Sequence, residues 1–460
     1  MAAASLRKLF LKNAVANVIG GIGTTLFNLL LPALVVRHLG KLEFSLWSLS
    51  LQILIYMQLF GFGLQTAMTK FIAHGNEISD LNDQRKTIKA GLVLVSFFSF
   101  FAVFAVVLLA IFYPLFFKNI PEDLVGEFRT CIAILGMSAA FQLFALVPSG
   151  MFIGLHRNIV PVSGLLLTRM SSLFFIWLVL SNGGTLLEIS VVLALCGVMI
   201  LPISYFYAKK LGGEIVKNLG AIDWARCKEL FYYCSSLAVW SVAMLFVNGI
   251  DLVIVGHYDF EKVASYSLAI TAISILVGVM QAVLGPLVAI GAASFAKADK
   301  QVRLPKLLAI SSAGCAIFLV FVIVIFFLFG KALLSLWIDR SYVDDVYALL
   351  SIMLFAHAIR NLLSPYSLLL LSIAEHKKAF MPAIIEGVVN LSFSLMLAPS
   401  YGVIGVVYGT LIGAIAGVVS ALIFVVDKTK ILSISRLYFF NRIIFFPAVT
   451  LGVLFWLCQS

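Results

Sequence analysis

Five ionisable side chains stand inside long apolar stretches of this 460-residue chain, where a charge costs free energy unless it meets a partner or a ligand. Arg169 lies near the middle of one stretch, and Arg360 follows His357 by about one helical turn in another. A guanidinium stays charged when it is buried and offers a planar fork of donors to phosphate oxygens. The two arginines therefore predict a cavity for an anionic ligand.

Two carboxylates accompany the arginines. Glu386 precedes Asn390 by four residues, which places both side chains on one face of a helix. Glu386 either lines the cavity, binds a proton or another cation, or forms an ion pair with Arg360 that joins two helices. Asp251 lies near the end of its apolar stretch, and it is interpreted either as a structural charge or as a coupling site.

His357 and Gln142 complete the set of polar candidates. An imidazole can relay protons, and a packed, hydrogen-bonded histidine is the alternative. The Gln142 amide is suited to ligand hydroxyl groups, but amides also join helices within membranes. The predicted ligand-binding residues are Arg169, Arg360, Glu386, His357, Asn390 and Gln142.

The elements that must position these side chains are membrane helices. Hydrophobic residues make up 62% of the chain and charged residues only 12%, about half of the charged share in soluble domains. A soluble fold has too much surface to hide this amount of apolar side chain, whereas lipid accepts it. The composition predicts an all-α integral membrane protein whose main partner is the lipid bilayer.

Apolar runs of about 20 residues, the length that crosses the hydrocarbon core, recur along the whole chain. Twelve spans are predicted: 14–36, 44–72, 90–117, 128–155, 158–180, 187–208, 229–256, 263–295, 305–338, 344–373, 379–399 and 403–426. A further apolar run, 437–458, is interrupted by Arg442 and Pro447. This run is interpreted as a thirteenth span or as an interfacial helix.

Lysine and arginine are abundant in every second loop between the predicted spans. Most of the 32 basic residues fall on one side of the membrane when the N-terminus is placed in the cytoplasm. This positive-inside pattern predicts a multi-pass protein with a cytoplasmic N-terminus. It also accounts for the net charge of +11, so no nucleic-acid partner is predicted.

The loops between the spans are short. The longest polar segments, 73–89 and 209–228, are too small to form a catalytic domain. The six cysteines are scattered without a CxxC pair, which predicts neither a metal site nor a disulfide framework. A transporter is therefore the favoured interpretation, and a membrane-bound enzyme of polysaccharide assembly is the weaker alternative. No resident cofactor is predicted.

The two halves of the chain carry a weak internal repeat. Residues 36–49, VRHLGKLEFSLWSL, align with residues 255–268, VGHYDFEKVASYSL, at a constant offset of 219. Each segment joins the first and second helix of a six-helix half, as in parallel repeats. The predicted organisation is a six-helix bundle (1–208), a cytoplasmic linker (209–228), a second six-helix bundle (229–426) and a basic, apolar C-terminal segment (427–460).

Several segments share further features with one known family. They are VVRHLG at 35–40, EFSLWSL at 43–49, GFGLQTAMTKFIA at 61–73, VASYSLA at 263–269 and APSYGVIGVVYG at 398–409, with Asn17 and Asp251. Together they resemble the polysaccharide flippases of the multidrug/oligosaccharidyl-lipid/polysaccharide exporter superfamily. Ser45 stands where the family often has glycine. Because these motifs belong to turns and helix packing, they indicate the family better than the substrate.

The resemblance implies two six-helix bundles in a V shape around a central cavity. It also implies that undecaprenyl-diphosphate-linked oligosaccharides are flipped across the bacterial cytoplasmic membrane by alternating access, for surface polysaccharides such as lipopolysaccharide O-antigen. A cation-coupled multidrug exporter and a lipid II flippase are the alternatives on the same fold. The first span has no acidic residue, which disfavours the exporter. A polysaccharide polymerase is an expected partner, and H⁺ or Na⁺ is the expected coupling ion.

Overall fold

A computed structural model describes residues 2–117, 120–217, 219–248, 250–295, 300–373, 375, 378, 380–426, 439, 441, 447 and 449. Over these residues the chain folds into helices, and no strand occurs among them. The chain divides into an N-terminal unit, Met1–Val242, and a C-terminal unit, Ala243–Ser460. The predicted thirteenth helix lies almost entirely outside the described residues, and the predicted borders of bundles and linker stay predictions.

The N-terminal unit holds nine helices within the described residues and the first part of a tenth. They are α1 (Ala2–Val36), α2 (Lys41–Leu59), α3 (Leu64–Glu77), α4 (Leu81–Phe116), α5 (Glu122–Gln142), α6 (Leu146–Gly154), α7 (Ile159–Ser181), α8 (Leu186–Val198), α9 (Ile200–Leu211) and α10 (Trp224–Asn248). The helices of the C-terminal unit are α11 (Asp251–Tyr258), α12 (Val263–Leu284), α13 (Pro286–Phe295), α14 (Lys300–Trp337), α15 (Arg340–Asn361), α16 (Ser364–Ser372) and α17 (Phe380–Phe424).

Several spans that the sequence predicts as continuous are broken near their middle. The span 44–72 ends as α2 and restarts as α3 after Phe62 and Gly63, which have positive φ values of 43° and 70°. The span 128–155 passes through a 3-10 turn at Leu143–Ala145. An interrupted helix at membrane depth persists where the backbone is buried in protein or lines a cavity. Hydrophobicity alone does not register such breaks.

The helix α17 is a helical hairpin. Gly402 adopts a φ of 57° and a ψ of −137°, a conformation that suits glycine, and the chain reverses there. Four glycines, spaced by four residues along the second limb, pack directly against the first limb. The facing pairs are Gly405 with Leu397 and Ala398, Gly409 with Ser394, Gly413 with Asn390, and Gly417 with Glu386. The missing side chains let the two limbs approach closely.

Ten helical segments in the described part are long and apolar enough to cross a membrane. One of them is the α17 hairpin, which contains the two predicted spans 379–399 and 403–426. The predicted span 229–256 is divided between α10 and α11. The prediction of an all-α membrane fold with about twelve crossing segments is therefore confirmed.

Residues of the predicted linker 209–228 contact the start of α4 in the N-terminal unit. Arg226 forms an ion pair with Asp83, and Lys86 forms one with Asp223 at 3.0 Å. The hydrogen bond from Lys86 is the main reason that the pKa of the Asp223 carboxyl is held below its ordinary value. These contacts attach the linker and the start of α10 to this unit.

Candidate functional site

The N-terminal unit contains a cavity where two broken helices meet. The break between α2 and α3 faces the 3-10 turn between α5 and α6. Gly61 lies at this contact, and a Cβ atom there would approach Leu146 Cδ1 to 2.7 Å. Ordinary carbon contacts are about 3.5–4.0 Å long, so the approach of the two breaks requires glycine at this position.

The cavity has a volume of about 550 Å³, within the range of small-molecule sites. It is lined by Asn17, Gln58, Gln65, Ala139, Gln142, Leu143, Ala145, Leu146, Ser149, Ile153, Asn158, Pro161, Val162, Leu165, Arg169 and Ile200. Arg169 is the one charged residue in this lining, which includes no carboxylate. The cavity therefore combines one positive charge and several amides with a larger apolar part of its wall.

Arg169 is held on α7 by neutral groups of α1. Its Nη1 atom donates a hydrogen bond to Thr24 Oγ1, and its Cζ atom lies 5.5 Å from the centre of the Phe27 ring. The helices α1 and α7 can approach here because Gly20 faces Val162 without a side chain of its own. These contacts orient the guanidinium and leave its charge available to an anion, since hydroxyl and ring do not neutralise it.

The C-terminal unit buries a carboxylate at the start of α11. Asp251 accepts hydrogen bonds from Asn390 Nδ2 at 3.2 Å, from Thr410 Oγ1 at 3.2 Å and from Tyr266 OH at 3.3 Å. Both limbs of the α17 hairpin and α12 thus converge on one acid. Every donor in this set is neutral, so hydrogen bonds stabilise the carboxylate without cancelling its charge.

Arg360 of α15 forms an ion pair with Glu386 of α17. The packing that seats Glu386 depends on Gly417, because a Cβ atom there would lie 2.7 Å from Glu386 Oε2. Together with Asp251, the described cluster holds two acids and one arginine. If all three are ionised, one negative charge remains in a buried place, where a proton or a cation would balance it.

His357 and Asn390 support this cluster from the same two helices. His357 is buried on α15 one turn before Arg360, and its carbonyl accepts a hydrogen bond from Asn361 Nδ2 at 2.8 Å. The Oδ1 atom of Asn390 accepts one from Ser394 Oγ at 3.3 Å. These two bonds lie within α15 and within the first limb of the hairpin, and the Arg360–Glu386 ion pair joins the two helices.

The comparisons with known proteins agree on the fold. No family model matches the chain, and no curated protein matches its sequence. The chain is similar to an inward-facing MATE-family multidrug transporter, at 17% identity and a TM-score of 0.71 over 89% of this chain and 96% of the other. It is also similar to the inward closed lipid II flippase MurJ, at 14% identity and a TM-score of 0.70 over 98% of both chains. The chain has the fold of the MOP-superfamily transporters.

A third similar structure is a MOP-superfamily transporter from Pyrococcus furiosus, described as having a binding pocket of reverse polarity, at 15% identity and a TM-score of 0.61. The similarity extends over 93% of this chain and 97% of the Pyrococcus furiosus chain. A shared fold does not fix the function, so the residues lining the present cavity must decide its chemistry.

The MOP fold separates the predicted site residues into two groups. Arg169 and Gln142 line the cavity of the N-terminal unit. Arg360, Glu386, His357, Asn390 and Asp251 form or adjoin the cluster of the C-terminal unit. The ion pair between Arg360 and Glu386, one of the two interpretations of these residues, is present. The roles of all seven residues in binding or coupling stay predictions.

Sequence reasoning missed four amides of this MOP-type cavity and two donors of the acidic cluster. The missed residues are Asn17, Gln58, Gln65, Asn158, Tyr266 and Thr410. A signal for two of them was present, because Gln58 and Gln65 flank the Gly-Phe-Gly segment 61–63 that breaks a membrane helix. Polar residues beside such a break tend to line a cavity.

Proposed function

We propose that the protein flips undecaprenyl-diphosphate-linked oligosaccharides across the bacterial cytoplasmic membrane by alternating access, for surface polysaccharide synthesis. The observation that carries the proposal is the lining of the cavity in the N-terminal unit. It combines one guanidinium with side-chain amides and has no acid. An anionic diphosphate that bears sugars matches this lining in charge and in hydrogen-bonding capacity.

The same lining argues against export of cationic drugs. A lipophilic cation would meet the uncompensated charge of Arg169 without a carboxylate to balance it. A lipid II flippase is the second candidate, because that substrate also joins a diphosphate to sugars and the fold likeness to MurJ extends over 98% of both chains. Transport is proposed rather than catalysis, with a polysaccharide polymerase as partner.

The proposed coupling site is Asp251. The hydroxyl oxygens of Thr410 and Tyr266 contact the Asp251 carboxylate, and Asn390 Oδ1 and Ser394 Oγ lie one hydrogen bond further out in the same group. Hard oxygen ligands of this kind suit Na⁺, and a carboxylate can also take a proton. In this proposal the cation offsets the residual negative charge of the cluster.

Genetic complementation tests the substrate. Arg169→Ala should abolish O-antigen display in a strain that lacks its own flippase, whereas Arg169→Lys should retain part of it, because a lysine keeps the charge and loses the planar fork. Lys209→Ala, an exposed basic residue outside the cavity, is the matched control and should complement fully. Arg360→Ala is compared in the same assay. Full O-antigen display with Arg169→Ala would refute the substrate proposal.

A second depletion strain separates the two candidate functions. Rescue of a strain depleted of its lipid II flippase, without restoration of O-antigen, would replace the first candidate by the second. Rescue of neither strain, together with efflux of a lipophilic cation from cells, would instead favour the multidrug exporter.

Ion dependence tests the coupling proposal. The apparent melting temperature of the purified protein should rise when choline chloride is replaced by NaCl, or should depend on pH alone if the ion is H⁺. Asp251→Asn should remove either dependence. A dependence that survives in the variant would move the coupling site elsewhere.

The cytoplasmic N-terminus is also a proposal, and reporter fusions test it. A fusion after Lys217 should be active as a cytoplasmic reporter, and a fusion after Asp259 as an external one. The opposite result would invert the orientation.

A further inference from the structure

Five side-chain amides line the cavity of the N-terminal unit on four different helices. They are Asn17 of α1, Gln58 of α2, Gln65 of α3, Gln142 of α5 and Asn158, the residue before α7. No aromatic residue is among the lining residues. An amide offers a donor and an acceptor at once, as does a hydroxyl group, so several convergent amides suit an uncharged ligand rich in hydroxyls.

The amide of Gln142 is fixed in one orientation by its neighbours. Ser138 Oγ donates its hydrogen to the carbonyl of Ala194 at 2.9 Å. The same oxygen can then only accept from Gln142, whose Nε2 atom lies 3.0 Å away. The amide nitrogen therefore faces Ser138, and Oε1 is left as the acceptor for a ligand in the cavity.

Gly197 of α8 leaves room for this arrangement. A Cβ atom at Gly197 would lie 2.5 Å from Gln142 Nε2 and 3.1 Å from its Cδ, so alanine must displace the amide. Gly126, on the same helix as Gln142, has open space around its Cβ position. Gly197→Ala should therefore displace the Gln142 amide although residue 142 itself is unchanged. Gly126→Ala is the matched control and should leave the amide in place.

A second amide pair lies further along the cavity from Arg169. Asn158 Nδ2 donates to Asn17 Oδ1 at 3.4 Å, which leaves Asn17 Nδ2 as a donor and Asn158 Oδ1 as an acceptor. Asn17 precedes Thr24, the contact of Arg169, by seven residues on α1, which corresponds to about 10 Å along the helix. The cavity thus has a charged end and an amide end.

We propose that the amides lining this cavity form a subsite for the neutral sugars of the substrate, with the phosphate at Arg169. This inference rests on the proposed function and extends it from the substrate class to the part that each residue recognises. Gln142 accepts a sugar hydroxyl through Oε1, and the Asn17–Asn158 pair offers one donor and one acceptor. The geometry makes Gln142 a specificity residue and Ser138 and Gly197 its positioning residues.

Binding to the full-length protein in lipid nanodiscs tests the subsite. The two probes are undecaprenyl diphosphate and the same lipid carrying a neutral disaccharide. The wild-type protein should bind the glycosylated probe more tightly. Gln142→Leu should weaken that probe by about tenfold, the value of one hydrogen bond to a buried partner, and leave the bare lipid unchanged.

Positioning variants and Arg169 complete the design. Gly197→Ala and Ser138→Ala should reduce the preference for the glycosylated probe, and Gly126→Ala should not. Arg169→Ala should weaken both probes by the same factor. Retained binding of the bare lipid shows that the variants at Gly197, Ser138, Gly126 and Gln142 are folded.

The possible results separate the two proposals. Equal affinity of the wild-type protein for both probes, or an equal loss of both in Gln142→Leu, overturns the sugar subsite and leaves the flippase proposal intact. Binding of neither probe by the wild-type protein overturns the proposed function itself. A preference for the disaccharide that survives in both Gln142→Leu and Gly197→Ala assigns the sugar to another surface.

Discussion

Side chains at aligned positions of the two units differ in their hydrogen bonding. Trp47 and Tyr266 correspond at the offset of 219 residues, and each is 1% exposed. Tyr266 donates its hydroxyl hydrogen to Asp251, whereas Trp47 Nε1 has no hydrogen-bond partner within the described residues. The same offset places Pro32, which has no side-chain acceptor, opposite Asp251. At this aligned position, the N-terminal unit therefore lacks the carboxylate that Asp251 provides in the C-terminal unit.

The difference extends to the other polar residues. In the N-terminal unit the amides and Arg169 face a cavity, where a ligand can reach them. In the C-terminal unit Asp251, Glu386 and Arg360 are engaged with groups of the unit itself. The comparison teaches that one unit holds its polar residues around a cavity, whereas the other holds them in contacts between its own helices.

The largest expected difference between the units concerns loss of a buried charge. Glu386→Gln leaves Arg360 without its acidic partner and should lower the free energy of unfolding by about 3–5 kcal/mol. Arg169 is bonded to the neutral Thr24 hydroxyl, so Arg169→Gln leaves no buried acid behind. This variant should lower the free energy of unfolding far less. Unfolding in mixed micelles titrated with SDS measures both variants.

A double substitution provides the control for this result. Replacing Arg360 by Met and Glu386 by Leu should restore most of the stability, because neither charge is then left alone. If the restored protein also complements, the pair is structural; if it does not, Arg360 or Glu386 has a role in transport itself. Equal losses in Glu386→Gln and Arg169→Gln would contradict the contrast between the units.

Removal of one donor from Asp251 should have a smaller effect. Thr410→Val keeps the shape of the side chain and deletes a hydrogen bond to a charged acceptor, which should cost about 1.5–3 kcal/mol. Thr168→Val in the N-terminal unit deletes only a bond to the carbonyl of Leu165 in its own helix. Its effect on the same unfolding curve should be close to zero, and a similar loss in both variants would break the comparison.

Close packing of the α17 hairpin should cost somewhat less to disturb. Gly417→Ala must push Glu386 Oε2 aside and should destabilise the protein by about 1–3 kcal/mol. Gly314→Ala, on a helix with open space around the new methyl group, should be neutral or slightly stabilising. Thermal unfolding in detergent compares the two, and a neutral Gly417→Ala would mean that the limbs are further apart.

The smallest effect belongs to the exposed contact between the linker and α4. Lys86→Ala should raise the pKa of Asp223 toward its ordinary value, which carboxyl chemical shifts in a pH titration can follow. Because this pKa is lowered in the folded protein, the contact stabilises the folded state at pH values above the ordinary pKa of the carboxyl. The stabilisation is lost as the pH falls through the lowered pKa. An unchanged Asp223 titration would assign the shift to the backbone instead.

Most of the fold follows from the sequence because lipid imposes a simple rule on apolar length. The breaks at Phe62 and Gly63 and the reversal at Gly402 do not follow from that rule, since hydrophobicity is blind to the sign of φ. Glycine at 61, 63 and 402 is the visible trace of these breaks, but many membrane glycines only serve helix packing.

The candidate site was predictable by residue type and not by grouping. Charged residues within long apolar stretches are easily recognised in a sequence. Arg169, Arg360, Glu386 and Asp251 were identified in this way. The partners of these residues depend on which helices pack together. Asp251 and its donor Asn390, for example, are separated by 139 residues in the sequence. Neutral donors such as Tyr266 carry no mark that separates them from ordinary packing residues.

The long separation between Asp251 and Asn390 also governs how the protein is made. Asp251 leaves the ribosome 139 residues before Asn390, which at about 5–20 residues per second is a delay on the order of ten seconds. During that time its carboxylate has neither limb of the hairpin to donate to it. The nascent C-terminal half must therefore keep α11 close to water, or within the insertion machinery, until the hairpin arrives. The hydrogen bonds that stabilise Asp251 are thus complete only after both limbs of the hairpin have been synthesised.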